Sequence, residues 1–152
     1  TTTRLAPESR YTGPFKGYVW QGKVAYYLPD EANIDLRNTT QTGNWARINF
    51  NQSTEQVSKP VFNFAISHGD KADGGNYAYV VIPGIASPMA LQHLDPAEIE
   101  IVSNTPQCQI VVNKRLGIAG AVFYAPGSVT WEGHTFSSDK PAVKLIKYDI
   151  KA

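Results

Sequence analysis

Two stretches decide the fold class: Val61-Phe62-Asn63-Phe64-Ala65-Ile66-Ser67 and, after a glycine-rich interval, Tyr77-Ala78-Tyr79-Val80-Val81-Ile82-Pro83-Gly84. In the first, Phe62, Phe64 and Ile66 fall on one side of an extended chain, and Val61, Asn63 and Ala65 on the other. A period of two is that of a β-strand. The second run is dense in aromatic and β-branched residues, and Pro83-Gly84 closes it. The interval His68–Asn76 holds Gly69, Gly74 and Gly75 with Asp70 and Asp73, the composition of a turn or exposed loop. Phe62, Phe64, Ile66, Val80 and Ile82 are therefore expected in a core.

The same reading extends both ways. Upstream, Tyr18–Gln21 and Lys23–Leu28 are β-rich runs separated by Gln21-Gly22, a tight hairpin. Pro29-Asp30 is expected to end the second run. Ile34–Leu36 is a short alternating piece, and Asn38–Asn44 is polar enough to be a loop or an edge. Trp45–Phe50 is strand-like, and Asn51–Lys59 reads as a surface loop. Downstream, Ser87-Pro88 before Met89–Leu94 is the one helical signal, with Ser as cap and Pro in the first turn. Asp95-Pro96 ends it. Strands are then expected at Ile99–Ser103, Gln107–Asn113, Ile118–Tyr124, Val129–Glu132 and Ala142–Tyr148. Turns fall at Leu116-Gly117, Pro126-Gly127, Gly133-His134 and Asp139-Lys140-Pro141. About ten short strands at this spacing predict an all-β chain built as an antiparallel sandwich or barrel. A composition shift at Asn104-Thr105-Pro106 suggests two domains, residues 1–104 and 105–152.

Composition narrows the function. The chain has 14 Lys and Arg against 13 Asp and Glu, a net charge of +1. That lacks the basic excess a nucleic-acid surface needs. No apolar run reaches the length of a membrane-spanning helix, so neither nucleic acid nor membrane is an expected partner. A single cysteine, Cys108, rules out an internal disulfide and a cysteine-based zinc site. Thr1–Arg10 has no leader-peptide pattern and no initiator Met, so the chain is expected to be processed or cut from something longer.

Few constellations could carry chemistry. No phosphate-binding glycine motif or nucleophile-elbow pattern occurs, and no cofactor is expected. His68, His93 and His134 are far apart and lack ligand spacing, so no metal is expected. Glycoside hydrolysis would need two carboxyls astride one bond. The pairs Asp30/Glu31, Asp70/Asp73 and Glu98/Glu100 read instead as solvated turns and a solvated strand face. The most suggestive group is His68 with Asn76, Tyr77 and Tyr79, which the Gly69–Gly75 turn would draw together. β-Elimination from a uronic acid needs such types: one group to neutralise the carboxylate, another to take the proton. The reading preferred here is a hairpin with packed tyrosines and a His68 that serves a turn carbonyl, because no arginine lies near in sequence. Trp20, Trp45 and Trp131 could stack on sugar rings, yet each is expected to fill an interior. Cys108 beside Ile110 and Val112 is expected to be a buried thiol. No residue is assigned as catalytic; Trp45, His68 and Tyr77 are the candidates for substrate binding.

One ordered set of motifs is more specific. Gly22–Pro29 precedes Gln41-Thr42-Gly43-Asn44-Trp45, then Ile48-Asn49, Ile66-Ser67-His68-Gly69, Asn76–Gly84, and Ile99–Thr105 with Gln109 after it. This order resembles the β-rich half of polysaccharide lyase family eight, the chondroitin AC, hyaluronate and xanthan lyases, from about Tyr18 to Tyr148. Asn44 stands where the family's turn has Ser. The resemblance implies the closing part of a super-sandwich followed by a small terminal β domain. It also implies that the catalytic Asn, His, Tyr and Arg sit on a helical domain these residues do not include. The partners so implied are that helical domain and, through the parent enzyme, an acidic polysaccharide. The implied location is extracellular or periplasmic, in a bacterium.

Overall fold

A computed structural model describes residues 5–70 and 73–149. They are almost wholly antiparallel β-structure, in two compact units that divide between Gln92 and His93.

The first unit is organised on one strand. β1 (Ser9–Gln21) and β2 (Val24–Gly43) form a hairpin, and β2 runs for 20 residues. On its other side, β2 pairs first with β4 (Val80–Pro83), through Val24–Tyr27. It then pairs with β3 (Val57–Ile66), through Ile34–Gly43. The β1–β2 turn is Gly22-Lys23, with φ of +56° and +69°. Two left-handed residues in a two-residue loop match the twist of the flanking strands. Lys23 bears the cost of that conformation, because its Cβ crowds the backbone where glycine's absence of one does not.

Pro29-Asp30 does not end the strand. Phe15 pairs with Ala32 and Gly17 with Leu28, so Pro29, Asp30 and Glu31 face Lys16 alone. A bulge absorbs the surplus and accommodates the proline's missing N–H. The polar run Asn38–Gly43, expected as a loop or an edge, is the far half of β2, with Asn38 opposite Phe62 and Thr42 opposite Ser58. Ladder bonds and β-branched threonines hold it extended. Trp45–Phe50, expected as a strand, is a 3₁₀ turn over Trp45–Arg47 followed by bends. The Asn44 side chain accepts from the Arg47 amide (3.1 Å), and the Trp45 carbonyl accepts from the amides of Ile48 (3.0 Å) and Asn49 (2.9 Å). Local side-chain bonding overrides a loose alternation. The expected helix at Met89–Leu94 is likewise a 3₁₀ segment, Pro88–His93.

The buried core of this unit is Val19, Ala25, Leu28 and Ile34. The five residues expected as core are each only half-buried, although the alternation holds: Asn63, Ala65 and Val81 between them are exposed.

The second unit stacks β10 (Ala142–Lys147), β7 (Ile118–Phe123), β6 (Cys108–Asn113) and β5 (Ile99–Asn104) in that order. A separate hairpin, β8 (Gly127–Trp131) and β9 (His134–Ser138), covers one face. Alternate residues Cys108, Ile110 and Val112 of β6 meet Ala119, Ala121 and Phe123 of β7, and Phe136 of β9 packs on them. This is a small β-sandwich. β9 was not foreseen. The turn is Glu132-Gly133, with φ of +45° and +80°, so the return strand already begins at His134.

The division between units falls before the expected boundary at 104/105. β5 pairs with β6 from Ile99↔Asn113 to Asn104↔Gln109, and belongs to the second sheet. Thr105-Pro106-Gln107 is that hairpin's turn, directly after Asn104, and it is fastened where the Thr105 amide donates to the Cys108 carbonyl (3.0 Å). A turn and a linker share a composition, so residue content alone does not separate them.

Phe123 is 2% exposed. Phe123→Ala should cost the second unit about 3–5 kcal/mol, and Phe64→Ala should cost the first unit clearly less. Denaturant titrations of the two variants check this; equal losses would place the β3 face inside a closed core.

Candidate functional site

A concavity in the first unit lies against the apolar face of β3. Phe64 and Ile66 share that face with Leu36 and Ile34 of β2, their direct cross-strand partners, and Phe62 shares it with Asn38. Tyr26 meets Phe64 edge-on, with centroids 5.6 Å apart. The chain leaves β3 with the Ser67 amide donating to the Asn33 carbonyl (2.7 Å). It turns through Gly69 and Gly74, both at positive φ, and comes back over the sheet. There His68 and Tyr77 stand 5.8 Å apart, and Tyr77 and Tyr79 are nearly parallel, 16° between planes at 6.3 Å. A β-carbon added at Gly75 would lie 3.1 Å from Nδ1 of His68, so a side chain there would push the imidazole. Together these residues enclose a groove of about 530 Å³ that also touches Asn63.

The glycine-rich turn thus brings His68 to Tyr77, as the sequence suggested. Asn76 is exposed and does not line the groove, and neither does Trp45, which stands 59% exposed on the β2–β3 turn. Among the described residues, no charged side chain lines it. β-Elimination needs a group that offsets a uronate carboxylate; Asn63 shares the opposite face with its partner Arg37, so among the described lining residues His68 and the hydroxyls of Tyr26, Tyr77 and Tyr79 are the polar groups on the groove side.

Two cations of the first sheet, Arg10 and Arg37, are committed elsewhere. Asp35, on the opposite face, accepts from Arg10 Nε (2.8 Å) and Nη2 (2.7 Å) and from Arg37 Nη2 (2.6 Å). The hydrogen bonds of Arg37 and then Arg10 hold the Asp35 carboxyl far below the usual carboxylate range, and Asp35 in turn raises Arg37. In the second unit Glu100 accepts from Lys114 Nζ (2.9 Å) and Trp131 Nε1 (2.7 Å). Those two bonds lower its pKa, Lys114's most. Glu98 is bound by Arg115 (2.9 Å), so the Glu98/Glu100 pair is engaged in two separate ion pairs. Trp131 packs against the core with Tyr148, and Trp20 donates to the Ile85 carbonyl (2.8 Å), so both serve structure. Cys108 is buried. Among the described residues, no three His, Cys, Asp or Glu side chains converge on a metal-sized point.

The family model described as polysaccharide lyase family 8, super-sandwich domain, matches residues 1–94, and that of the family 8 C-terminal beta-sandwich domain matches residues 100–152. The chain belongs to polysaccharide lyase family 8. Among relatives of this family, chondroitinase-AC of Pedobacter heparinus is 35% identical over 88% of the chain, and xanthan lyase of a Bacillus species (strain GL1) is 32% identical over 82%. The chain spans only 19% and 13% of those two proteins. A solved chondroitinase AC lyase superposes with a TM-score of 0.90 at 32% identity, over 97% of this chain and 22% of that one. Xanthan lyase of Paenibacillus shares the fold, with a TM-score of 0.78 at 18% identity.

The two perturbed carboxylates set an acid limit. Their folded pKa values lie below the unfolded ones, so the unfolded state binds more protons in the interval between. The stabilisation is complete above about pH 4 and is lost as the pH falls toward the folded values. Glu100→Gln should make the thermal midpoint of the second unit less steep in pH below about pH 4, and Asp35→Asn should do the same for the first. Unchanged slopes in both would show these pairs to be open in solution.

Proposed function

We propose that the chain is the closing β portion of a polysaccharide lyase that cleaves uronate-containing acidic polysaccharides by β-elimination. In this reading it supports the substrate cleft and supplies none of the catalytic groups. The observation that carries the proposal is the match of consecutive lyase domains to nearly the whole chain, 1–94 and 100–152, with chondroitinase-AC at 35% identity. The groove agrees with it. Proton abstraction from a uronate requires a neutralised carboxylate, a base and an acid within hydrogen-bond reach of one sugar. His68 and Tyr77 are near each other, and among the described residues the groove's lining holds no arginine or lysine. The catalytic set then belongs to a partner domain of the same protein, helical by family resemblance. A polymeric, charged substrate is met outside the cytoplasm, which favours an extracellular or periplasmic enzyme.

A second reading, a free-standing carbohydrate-binding module, has one observation in its favour: Tyr77 and Tyr79 are parallel and exposed at 59% and 48%. Saturable binding of neutral or acidic oligosaccharides by the 152-residue chain would support that reading.

The chain alone should release no unsaturated uronate from chondroitin, hyaluronan or xanthan, as followed by ultraviolet absorbance. A steady rise abolished by His68→Ala or Tyr77→Phe would make this chain the catalyst and defeat the proposal.

A further inference from the structure

We infer that the turn at the tip of the β2–β3 hairpin, residues 45–50, is a binding platform for acidic polysaccharide, with Trp45 stacked on a sugar ring and Arg47 holding a uronate carboxylate. The inference rests on the lyase reading above for its polymer, and names a contact to that polymer outside the catalytic set.

The turn is a rigid mount. The Asn44 side chain caps the Arg47 amide, and the Trp45 carbonyl accepts the amides of Ile48 and Asn49. The Ala46 amide donates to the Ser53 carbonyl (3.1 Å) and the Gln52 amide to the Asn49 carbonyl (3.3 Å), which ties the two sides of the turn together. These bonds order the backbone locally and leave the side chains outside. Ile48 is 79% and Phe50 88% exposed, with Trp45 at 59%. One exposed apolar side chain is ordinary, but three within six residues of an ordered turn mark a contact surface. A platform ordered in advance loses less entropy when it binds.

Charge selects the occupant. Among the described arginines, Arg10 and Arg37 hold Asp35 and Arg115 holds Glu98, whereas Arg47 pairs with no described carboxylate. It is exposed and lies two residues from Trp45. A guanidinium takes a carboxylate through two parallel N–H bonds. A pyranose ring offers an apolar C–H face edged by hydroxyls, which suits an aromatic plane edged by the exposed amides of Asn49, Asn51 and Gln52. A uronate carries both features in one residue. Size argues against a protein on this turn. A stable protein interface takes about 20–30 residues a side, whereas the apolar positions end at Phe50 and residues 51–56 are polar throughout. The groove beside Tyr77 and Tyr79 is a separate surface, and Trp45 does not line it.

Titration calorimetry of the 152-residue chain with chondroitin, hyaluronan and xanthan oligosaccharides tests this. At least one of the three should bind saturably, and Trp45→Ala and Arg47→Gln should each weaken that binding about 10-fold. Both side chains are exposed, so neither substitution should shift the thermal midpoint. Reducing the carboxyl groups of the bound oligosaccharide should weaken it about 10-fold on the parent chain and change nothing on Arg47→Gln, where the pair is already broken. Equal losses on both chains would take the carboxylate away from Arg47 and overturn the inference. So would an absence of saturable binding, or binding that survives both turn variants and falls with Tyr79→Ala, which would place the sugar in the groove. A protein occupant is tested with Trp45→Cys, because the native Cys108 is buried. Slower maleimide reaction in the full-length polypeptide than in the 152-residue chain, with no sugar present, would give the turn to a protein surface and overturn the inference too. Cleavage of the same oligosaccharides by the full-length polypeptide is measured separately. Cleavage without turn-dependent binding defeats this inference and leaves the lyase reading standing; turn-dependent binding without cleavage does the reverse.

Discussion

Every strand of the first unit is hydrogen-bonded to β2. Its near half is flanked by β1 and β4 and its far half by β1 and β3. A single 20-residue strand that serves β1 from Val24 to Asn38 along one edge, and β4 and then β3 along the other, cannot be interrupted without orphaning backbone groups. That constraint explains the bulge at Pro29–Glu31, which lets the strand continue past a proline. It also explains why polar residues such as Thr40 and Gln41 stay extended. The position of the groove follows as well: β4 pairs with Val24–Tyr27 and β3 with Ile34–Gly43, and the segment between them brings His68, Tyr77 and Tyr79 to the Phe62–Ile66 face.

The second unit solves burial differently. Its hairpin β8–β9 lies across one face of the four-stranded sheet and completes a core of small and aromatic residues, with Ala119 and Ala121 beneath Phe136. The Glu100–Lys114–Trp131 contacts join β5, the end of β6 and β8, so a polar cluster ties the hairpin to the sheet at its rim. Most of its charge stays near solvent, where desolvation costs are small.

The all-β class and most strand positions were legible, because alternation and turn chemistry are local. The face assignment of Phe62, Phe64 and Ile66 was legible for the same reason. Their burial was not, since it depends on what lies over the sheet. Strand ends failed wherever a tertiary ladder outweighed a local signal, as at Pro29 and Asn38–Gly43, or where a side-chain cap won, as at Asn44. β9 was missed because the left-handed pair Glu132-Gly133 sets the turn one residue earlier than Gly133-His134, which leaves His134 as the first residue of a return strand. Of the site, the approach of His68 to Tyr77 could be read from the spacing of Gly69, Gly74 and Gly75. The separation of Trp45 from them, and the capture of Arg10 and Arg37 by Asp35, are products of register and leave no local trace.

The pairing pattern also bears on the order in which the molecule assembles. In the second unit β5–β6, β6–β7 and β8–β9 each join strands that are neighbours in sequence, and only β10 returns to an earlier strand, β7. In the first, Val24 waits for Pro83 and Gly43 for Val57. Loop closure taxes distant partners, and chains rich in local contacts condense sooner. The C-terminal sandwich should therefore form rapidly once released from the ribosome, while β2 holds an unpaired edge until β3 and β4 arrive. That interval is when the first unit is most open to pairing with the wrong chain.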